Sequence, residues 1–195
     1  MISDKIVTIN ELADKIASLK NDGKKVVHCH GVFDLLHIGH IKHFNEAKSF
    51  GDVLVVTLTP DEYVGKGPNR PAFNWQHRLE FIANLESVDF VSMNKWPNAV
   101  DTIRLIKPNI YCKGPDYKNP SDDITGMINN EEDALNEIGA EIRFTDDITF
   151  SSSSLINTYA NTYGESQKKF IEEKLKNYDF DEIKDSIESL SNLNV

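Results

Sequence analysis

The stretch GVFDLLHIGH, residues 31–40, decides the fold of this chain. It follows an apolar run, so we expect a strand that ends near Cys29 and then a tight turn. Gly31 has no side chain and lets the backbone turn sharply at that point. A helix over residues 37–49 should follow. The stretch therefore predicts a strand, a glycine turn and a helix whose first turn carries two imidazoles.

The two imidazoles belong to His37 and His40, which are three residues apart and would share one face of that helix. Gly39 lies between them and removes a side chain where a ligand has to approach the backbone. The first turn of a helix has free N–H groups and a positive dipole end, which suit an anion such as a nucleotide phosphate. The alternative is two ordinary helix histidines, one of them buried in the core.

The spacing Gly-x-Phe-Asp-x-x-His-x-Gly-His resembles the signature of the cytidylyltransferase-like nucleotidyltransferases. This Rossmann-like family includes glycerol-3-phosphate cytidylyltransferase and the nucleotidyltransferase domain of bacterial ADP-heptose synthase. Class I aminoacyl-tRNA synthetases also carry His-x-Gly-His, so the flanking Gly31, Phe33 and Asp34 make the resemblance specific. It implies catalytic roles for His37 and His40. It also implies nucleotide contacts at Gly31, Val32, Phe33 and Gly39.

Composition narrows the classes of partner. The chain has 195 residues, with 21 Lys and Arg against 31 Asp and Glu. This acidic balance argues against nucleic acid or an anionic membrane as the main partner, so a phosphate site has to be a local basic pocket. We expect Cys29 and Cys112, at the ends of two predicted strands, to be buried free thiols. With neither a signal peptide nor a long apolar span, the sequence predicts a cytoplasmic protein.

Strands and helices alternate along the chain. Residues 53–58 form a continuous apolar run that is typical of a parallel strand covered on both faces. Further strands are predicted at 88–91, 110–112 and 141–144, and further helices at 9–19, 74–85, 98–106 and 129–138. In the helix over 74–85 we expect Trp75, Leu79 and Ile82 to be buried. The fold class is therefore α/β, a Rossmann-like parallel sheet with helices on both faces and a site at the carboxyl ends of its strands.

Two cationic glycine loops follow predicted strands. Residues 66–71, KGPNRP, would be a solvated surface loop on composition alone. They resemble a loop of the heptose-type relatives, which implies a catalytic phosphate contact for Lys66 and a nucleotide phosphate contact for Arg70. The second loop begins at Lys113 and resembles the Val-Lys-Gly-Gly-Asp-Tyr segment of the same relatives, with Pro115 in place of the second glycine. That resemblance implies a catalytic phosphate contact for Lys113.

The resemblance also suggests an acceptor pocket. Arg78 matches a basic position of the family, although a surface ion pair with Glu80 is the alternative. His30 would line the nucleotide or acceptor pocket, or serve a structural role. The predicted acceptor-binding residues are His30, Asp34, Arg78 and Asp116.

A serine run precedes an apolar segment at residues 150–156. It would cap a helix, and it also resembles the Ile-Ser-Thr-Thr-x-Ile motif that holds the triphosphate. We expect nucleotide contacts from Ser151, Ser152 and Ser153. The glycerol-phosphate enzymes have an arginine and a glutamate shortly before this motif, whereas residues 146–149 read DDIT here. The choice between CTP and ATP therefore stays open.

The domain is predicted to span residues 1–160, with a helical tail or linker over 161–195. The amphipathic tail would wrap the domain, mediate self-association or lead toward a further domain of a longer chain. Some relatives join such a domain to a sugar kinase, so a fused or associated kinase is one expectation. A homodimer is another, because dimers are common among the relatives.

The resemblance implies transfer of a nucleotidyl group from CTP or ATP to a sugar phosphate or polyol phosphate, with Mg²⁺ on the triphosphate. No residue spacing indicates a dedicated protein metal site. One alternative is a non-catalytic nucleotide-binding module of the same fold. A fragment related to tRNA synthetases is a third possibility, disfavoured by the short acidic chain and the absence of a Lys-Met-Ser-Lys-Ser loop.

Overall fold

The computed structural model describes residues 4–65, 70–115 and 128–146. Over these ranges, helices and strands alternate along the chain, as the sequence predicts. The helices are α1 Ile9–Asn21, α2 Ile38–Ser49, α3 Trp75–Ala83, α4 Val100–Ile106 and α5 Ile128–Ile138. The strands are β1 Val26–Gly31, β2 Val53–Leu58, β3 Phe90–Met93, β4 Ile110–Lys113 and β5 Glu141–Phe144.

The five described strands form one parallel sheet in the order β3-β2-β1-β4-β5. The chain starts at the central strand β1, moves outward through β2 and β3, and then crosses to β4 and β5 on the other side. The strand order therefore reverses between β1 and β4. In open sheets of this kind, ligands bind outside the carboxyl ends of the strands at that point. The predicted α/β fold class is confirmed.

Helices cover both faces of the sheet. On one face, side chains of α2 and α3 such as Phe44 and Ile82 pack against Val27 and Val56. On the other face, α1 packs against Val26, Val53 and Val55, while α4 and α5 close over Tyr111. Alternate residues of each strand face opposite layers, so a strand buried on both sides has a continuous apolar sequence. In the described ranges, no helix is both long and apolar enough to cross a membrane.

Several predicted boundaries need correction. β1 continues past Cys29 to Gly31, because His30 and Gly31 still pair with β2. β3 begins at Phe90, not at Val88, since Asp89 uses its carboxylate to accept from Leu54 N at 2.7 Å before the ladder starts.

The predicted buried stripe of α3 is partly wrong. Trp75 is 43% exposed, whereas Arg78 is fully buried with Leu79 and Ile82. Arg78 can occupy a core position because backbone and carboxylate oxygens accept from its guanidinium, as described below.

Candidate active site

The two motif histidines meet at the start of α2. His37 is the N-cap residue, with extended backbone at φ −140° and ψ 172°, and its N–H donates to Nδ1 of His40 at 3.4 Å. The two rings stack, with centroids 3.9 Å apart and planes inclined by 29°. Burial lowers the pKa of His37 below its ordinary value, which favours the neutral ring. The prediction that both imidazoles share one face at a helix start is confirmed.

Phe33 packs against His40 of this pair. Its ring contacts His40 edge-on at a centroid distance of 5.4 Å and also packs on Phe44 at 5.0 Å. The backbone of Phe33 is left-handed, with φ +48°, a conformation that non-glycine residues rarely adopt. A Cβ atom at position 31 would lie 2.9 Å from Cζ of Phe33, so only glycine fits beneath the ring. Gly31 and Phe33 are thus needed together to position His40.

Asp34 connects the motif to the segment after β2. It is 2% exposed, and its carboxylate accepts from Nε of Arg70 at 2.6 Å and from the N–H of Phe73 at 3.1 Å. Burial alone would raise the pKa of Asp34. Hydrogen bonds from the N–H groups of Ala72 and Phe73, together with Arg70, outweigh that effect and hold the pKa below its ordinary value.

Arg78 connects the motif to the end of β2. Its guanidinium donates to the carbonyl oxygens of Val32 and Thr59 at 2.5 and 2.8 Å, and to Oδ1 of Asp61 at 2.5 Å. A surface ion pair with Glu80 is therefore wrong, because Arg78 is buried and its ionic partner is Asp61. Asp61 follows β2 directly, at the rim of the site that the sequence predicts, but the sequence did not predict its ion pair with Arg78.

A cavity of about 320 Å³ opens beside the motif at the carboxyl ends of β1, β2 and β4. It lies at the place where the strand order reverses. The cavity is lined by motif backbone, by polar side chains and by two tyrosines. Its residues are His30, Gly31, Val32, Thr59, Tyr63, Pro97, Asn98, Tyr111, Lys113 and Glu131.

Lys113 ends β4 in the wall of this cavity. Its Nζ lies 2.5 Å from Oε2 of Glu131 on α5, and both side chains are buried. The hydroxyl of Tyr111 donates to the other Glu131 oxygen at 3.0 Å. Sequence reasoning placed Lys113 at this edge but missed Glu131. Glutamates in a polar helix are usually exposed, and no pattern in the sequence distinguishes the buried one.

His30 forms the opposite wall. Its Nδ1 lies 2.8 Å from Oγ1 of Thr57 and its Nε2 lies 3.2 Å from Oγ1 of Thr59. Burial and then the nearby Lys113 lower the pKa of His30 to about 3, so the ring is neutral at pH 7. Thr57 also contacts Nε2 of the buried His28 at 2.8 Å. The His30 side of the cavity is therefore an uncharged hydrogen-bonding surface. It lies near the ammonium group of Lys113, which is paired with Glu131.

Comparison with known proteins agrees with this site. Residues 28–158 match the family model described as cytidylyltransferase-like, which includes the motif and every strand of the sheet after the start of β1. The chain belongs to the cytidylyltransferase-like family. The resemblance inferred from the spacing of Gly31, Phe33, Asp34, His37 and His40 is confirmed.

Curated relatives in this family include the Bifunctional protein HldE of two bacteria. The chain is 36% identical over 152 residues to that of Methylococcus capsulatus, covering 77% of this chain and 31% of the relative. It is 44% identical over 115 residues to that of Aliarcobacter butzleri, covering 58% of this chain and 24% of the relative. The chain thus spans about a quarter to a third of the length of these relatives.

Solved structures of the same fold are also similar. The lipopolysaccharide core biosynthesis protein from Thermoplasma volcanium aligns with a TM-score of 0.52 and 28% identity, covering 66% of this chain and all of that one. Pantoate-beta-alanine ligase from Francisella tularensis aligns with a TM-score of 0.54 at 17% identity, a likeness of fold alone.

For this member of the cytidylyltransferase-like family, the structure brings most of the described predicted residues to one edge of the sheet. Val32, His30 and Lys113 line the cavity, while Gly39 lies in the first turn of α2 beside the histidines. Asp34, Arg70 and Arg78 hold the surrounding backbone, so the acceptor contacts of Asp34 and Arg78 and the nucleotide contact of Arg70 stay predictions. Five predicted site residues lie outside the described ranges: Lys66, Asp116, Ser151, Ser152 and Ser153.

Proposed function

We propose that this chain is a nucleotidyltransferase that moves a nucleotidyl group from CTP or ATP to a sugar phosphate or polyol phosphate and releases pyrophosphate. One observation carries the proposal. The stacked His37 and His40 stand at the N-terminus of α2, next to Gly31 and Val32, which line a cavity together with Lys113. A helix start with two imidazoles suits a triphosphate, and an adjoining cavity suits the second substrate.

In this reaction an oxygen of the acceptor phosphate attacks the α-phosphorus, and the bond to the bridging oxygen of the β-phosphate breaks. The electron pair leaves with pyrophosphate. The attacking phosphate is already an anion, so the protein needs no strong general base, and catalysis consists of positioning and charge stabilisation.

His40 is arranged for charge stabilisation. Its Nδ1 accepts from the N–H of His37, so the neutral ring carries its proton on Nε2. That N–H would donate to an oxygen of the α-phosphate, where negative charge redistributes in the transition state. Phe33 holds the ring in this orientation through its edge-on contact.

The cavity beside the motif fits the acceptor. Its walls offer both donors and acceptors, from His30, Thr59, Asn98 and Tyr111, as a polyhydroxylated molecule requires. Its volume of about 320 Å³ lies at the lower end for small-molecule sites, which agrees with a single sugar phosphate. Lys113 would contact the acceptor phosphate or the leaving phosphate.

We propose Mg²⁺ as the cofactor. The described carboxylates around the site are engaged by cations of this chain: Asp34 by Arg70, Asp61 by Arg78, and Glu131 by Lys113. This donor set fits an ion that is bound mainly by phosphate oxygens and water, as is common for Mg²⁺ with nucleotides. Such an ion neutralises the triphosphate, while the protein supplies the imidazoles and the helix start.

The relatives named HldE are described as bifunctional, and the chain matches only part of their length. We therefore also propose that this domain acts with a fused or associated sugar kinase, whose product would be its phosphorylated acceptor.

The test is pyrophosphate release with each of the four ribonucleoside triphosphates and Mg²⁺, against a panel of sugar and polyol phosphates. We expect release with one triphosphate only in the presence of one acceptor class, and loss of release on chelation of Mg²⁺. The variant His37→Ala should lower the rate strongly, whereas His77→Ala, at an exposed position of α3, should not. Nucleotide binding without pyrophosphate release across the panel would contradict the proposal and favour the non-catalytic module.

A further inference from the structure

A second cluster of reactive side chains lies on the α2-facing side of the sheet, separate from the cavity. It consists of Cys29 on β1, Cys112 on β4 and His43 on α2. The two sulfur atoms and a ring nitrogen of His43 all lie within 4.8 Å of one another. No spacing in the sequence indicates this cluster, because the three residues are far apart along the chain.

The fold explains why the two thiols meet. β1 and β4 pair with Val27 opposite Ile110 and His28 opposite Tyr111, so Cys29 comes opposite Cys112 in the same register. Both cysteines are buried and free, as the sequence predicted. The thiol of Cys29 makes a hydrogen bond with that of Cys112, and burial raises its pKa well above the ordinary value. Without a cation, Cys29 is therefore a thiol.

His43 is oriented by a group on its far side. Its Nδ1 lies 2.9 Å from Oγ1 of Thr145, and this hydroxyl donates to the carbonyl oxygen of Lys113 at 3.5 Å. A hydroxyl that donates its proton to a carbonyl can only accept from Nδ1–H, so the lone pair of the neutral ring is on Nε2. Histidines that bind metals usually donate their other ring N–H to such a partner.

We propose that Cys29, His43 and Cys112 form a binding site for Zn²⁺. Two thiolates and a neutral imidazole around a divalent ion give a complex with no net charge, which a buried site tolerates. Binding would release two thiol protons to solvent. A monovalent soft cation such as Cu⁺ would leave one negative charge buried among apolar side chains.

The dimensions agree with this assignment. Zn–N and Zn–S bonds of about 2.0 and 2.3 Å place one nitrogen and two sulfur ligands of a tetrahedral ion roughly 3.5 to 3.8 Å apart. A small inward movement of the three side chains from their present separation would close the site around the ion. The ion would connect β1, α2 and β4 directly behind the motif, and a fourth position would remain for water or another ligand.

The test uses Co²⁺ as a spectroscopic probe on the reduced, metal-stripped chain. We expect one equivalent of Co²⁺ to give a thiolate-to-cobalt charge-transfer band and intense visible bands of tetrahedral geometry. One equivalent of Zn²⁺ should bleach both. The thiolate band is specific to sulfur ligands, so it separates this site from metal binding at His37 and His40.

Two variants and a control locate the ion. His43→Asn keeps an N–H for Thr145 but lacks Nε2, and Cys112→Ser keeps the shape of the side chain but removes the thiolate. Each should weaken Co²⁺ binding at least tenfold, whereas His77→Asn should not change it. Far-UV circular dichroism checks that each variant is folded. Absence of the thiolate band in the unmodified chain would overturn the proposal, and so would a band of unchanged intensity in folded Cys112→Ser.

Discussion

At the scale of single residues, the position of the His40 ring depends on an unfavourable backbone conformation at Phe33. The left-handed φ of +48° costs about 1 kcal/mol or more, and it turns the ring back over Gly31 and against His40. The surrounding contacts hold it there: Phe44 packs on the ring, and Arg78 donates to the carbonyl of the neighbouring Val32. The His40 imidazole is therefore held in place by contacts within the chain itself.

The first prediction concerns this imidazole. His40→Ala removes the Nε2–H donor and should lower the turnover of nucleotidyl transfer about 10²- to 10³-fold, the usual effect of losing one donor to developing charge. Steady-state kinetics with the best substrate pair measures it. The protein should remain folded, and the exposed His77→Ala should retain full turnover. Near-normal turnover in folded His40→Ala would remove this residue from the mechanism.

The second prediction concerns the buried pair of Asp34 and Arg70. Asp34→Asn leaves Arg70 without its counter-charge and should lower the free energy of unfolding by about 3 kcal/mol at pH 7. The pKa of Asp34 is lowered by folding, so its contribution is fully present above the unfolded pKa near 4. This contribution to stability is lost as the pH falls through the lower pKa that Asp34 has in the folded protein.

Urea unfolding of both proteins between pH 7 and pH 3 tests this dependence. The difference in unfolding free energy should stay constant down to about pH 5 and narrow below pH 4. A difference that grew on acidification would contradict the assignment, because it would mean that the protonated carboxyl is the stabilising form.

At the scale of elements, α3 is fixed to the site by one side chain. Arg78 reaches from the helix to the motif backbone, to the end of β2 and to Asp61, while the N–H of Trp75 also donates to Asp61 at 3.1 Å. The segment between β2 and α3 is therefore held at both of its ends. Movement of α3 would displace the motif backbone directly.

The third prediction follows from this connection. Arg78→Met keeps much of the length of the side chain but leaves two carbonyls and Asp61 without their donor, so we expect a loss of about 2 to 4 kcal/mol in unfolding free energy. The matched control is Arg104→Met. Arg104 pairs with Glu137 on the surface, with both side chains about half exposed, so its loss should leave the free energy of unfolding nearly unchanged. Equal losses in the two variants would show that Arg78 is not a structural link.

Arg78 also shows where sequence reasoning failed at this scale. The apolar residues of α3 at helical spacing predicted the helix and its buried side, including Leu79 and Ile82. They could not predict that the largest buried residue of α3 is an arginine. Burial of a charge depends on acceptors contributed by residues distant in sequence, here Val32, Thr59 and Asp61. Trp75, apolar and correctly spaced, is exposed at the first position of the helix.

At the scale of the whole molecule, charge is unevenly distributed. The chain has a net charge of −10, yet Lys113 and the motif histidines stand at the edge of the sheet where phosphate would bind. Anion binding therefore depends on a few local groups, because the overall field repels anions. A small triphosphate can use such a pocket, whereas a long polyanion would also be repelled by the net negative charge of the chain.

This distribution gives the fourth prediction. The chain should not bind a fluorescent single-stranded oligonucleotide with a dissociation constant tighter than about 10⁻⁴ M at low salt, the weak end of non-specific binding. Fluorescence anisotropy measures it, with a basic protein as the positive control. Binding in the micromolar range that weakens with salt would indicate a basic surface in the intact chain and would favour the fragment related to tRNA synthetases.

The sequence predicts the topology of the sheet more completely than the contacts within the site. Alternating apolar strands and amphipathic helices were enough for the doubly covered parallel sheet, because each pattern reflects local burial. The motif located His37 and His40 at the start of a helix. Glu131 and the partnership of Cys29, His43 and Cys112 were missed, since they arise from strand order and helix placement. Such contacts have no spacing that one sequence reveals.

The ion pair between Lys113 and Glu131 has a consequence for binding of the acceptor proposed above. An incoming phosphate group would find the ammonium already occupied by an internal anion, so it would have to exchange with Glu131. Glu131 then acts as a built-in competitor that mimics the ligand's charge. Such an exchange keeps the lysine oriented between turnovers, holds the affinity for the acceptor moderate, and lets Glu131 return to Lys113 as the product leaves.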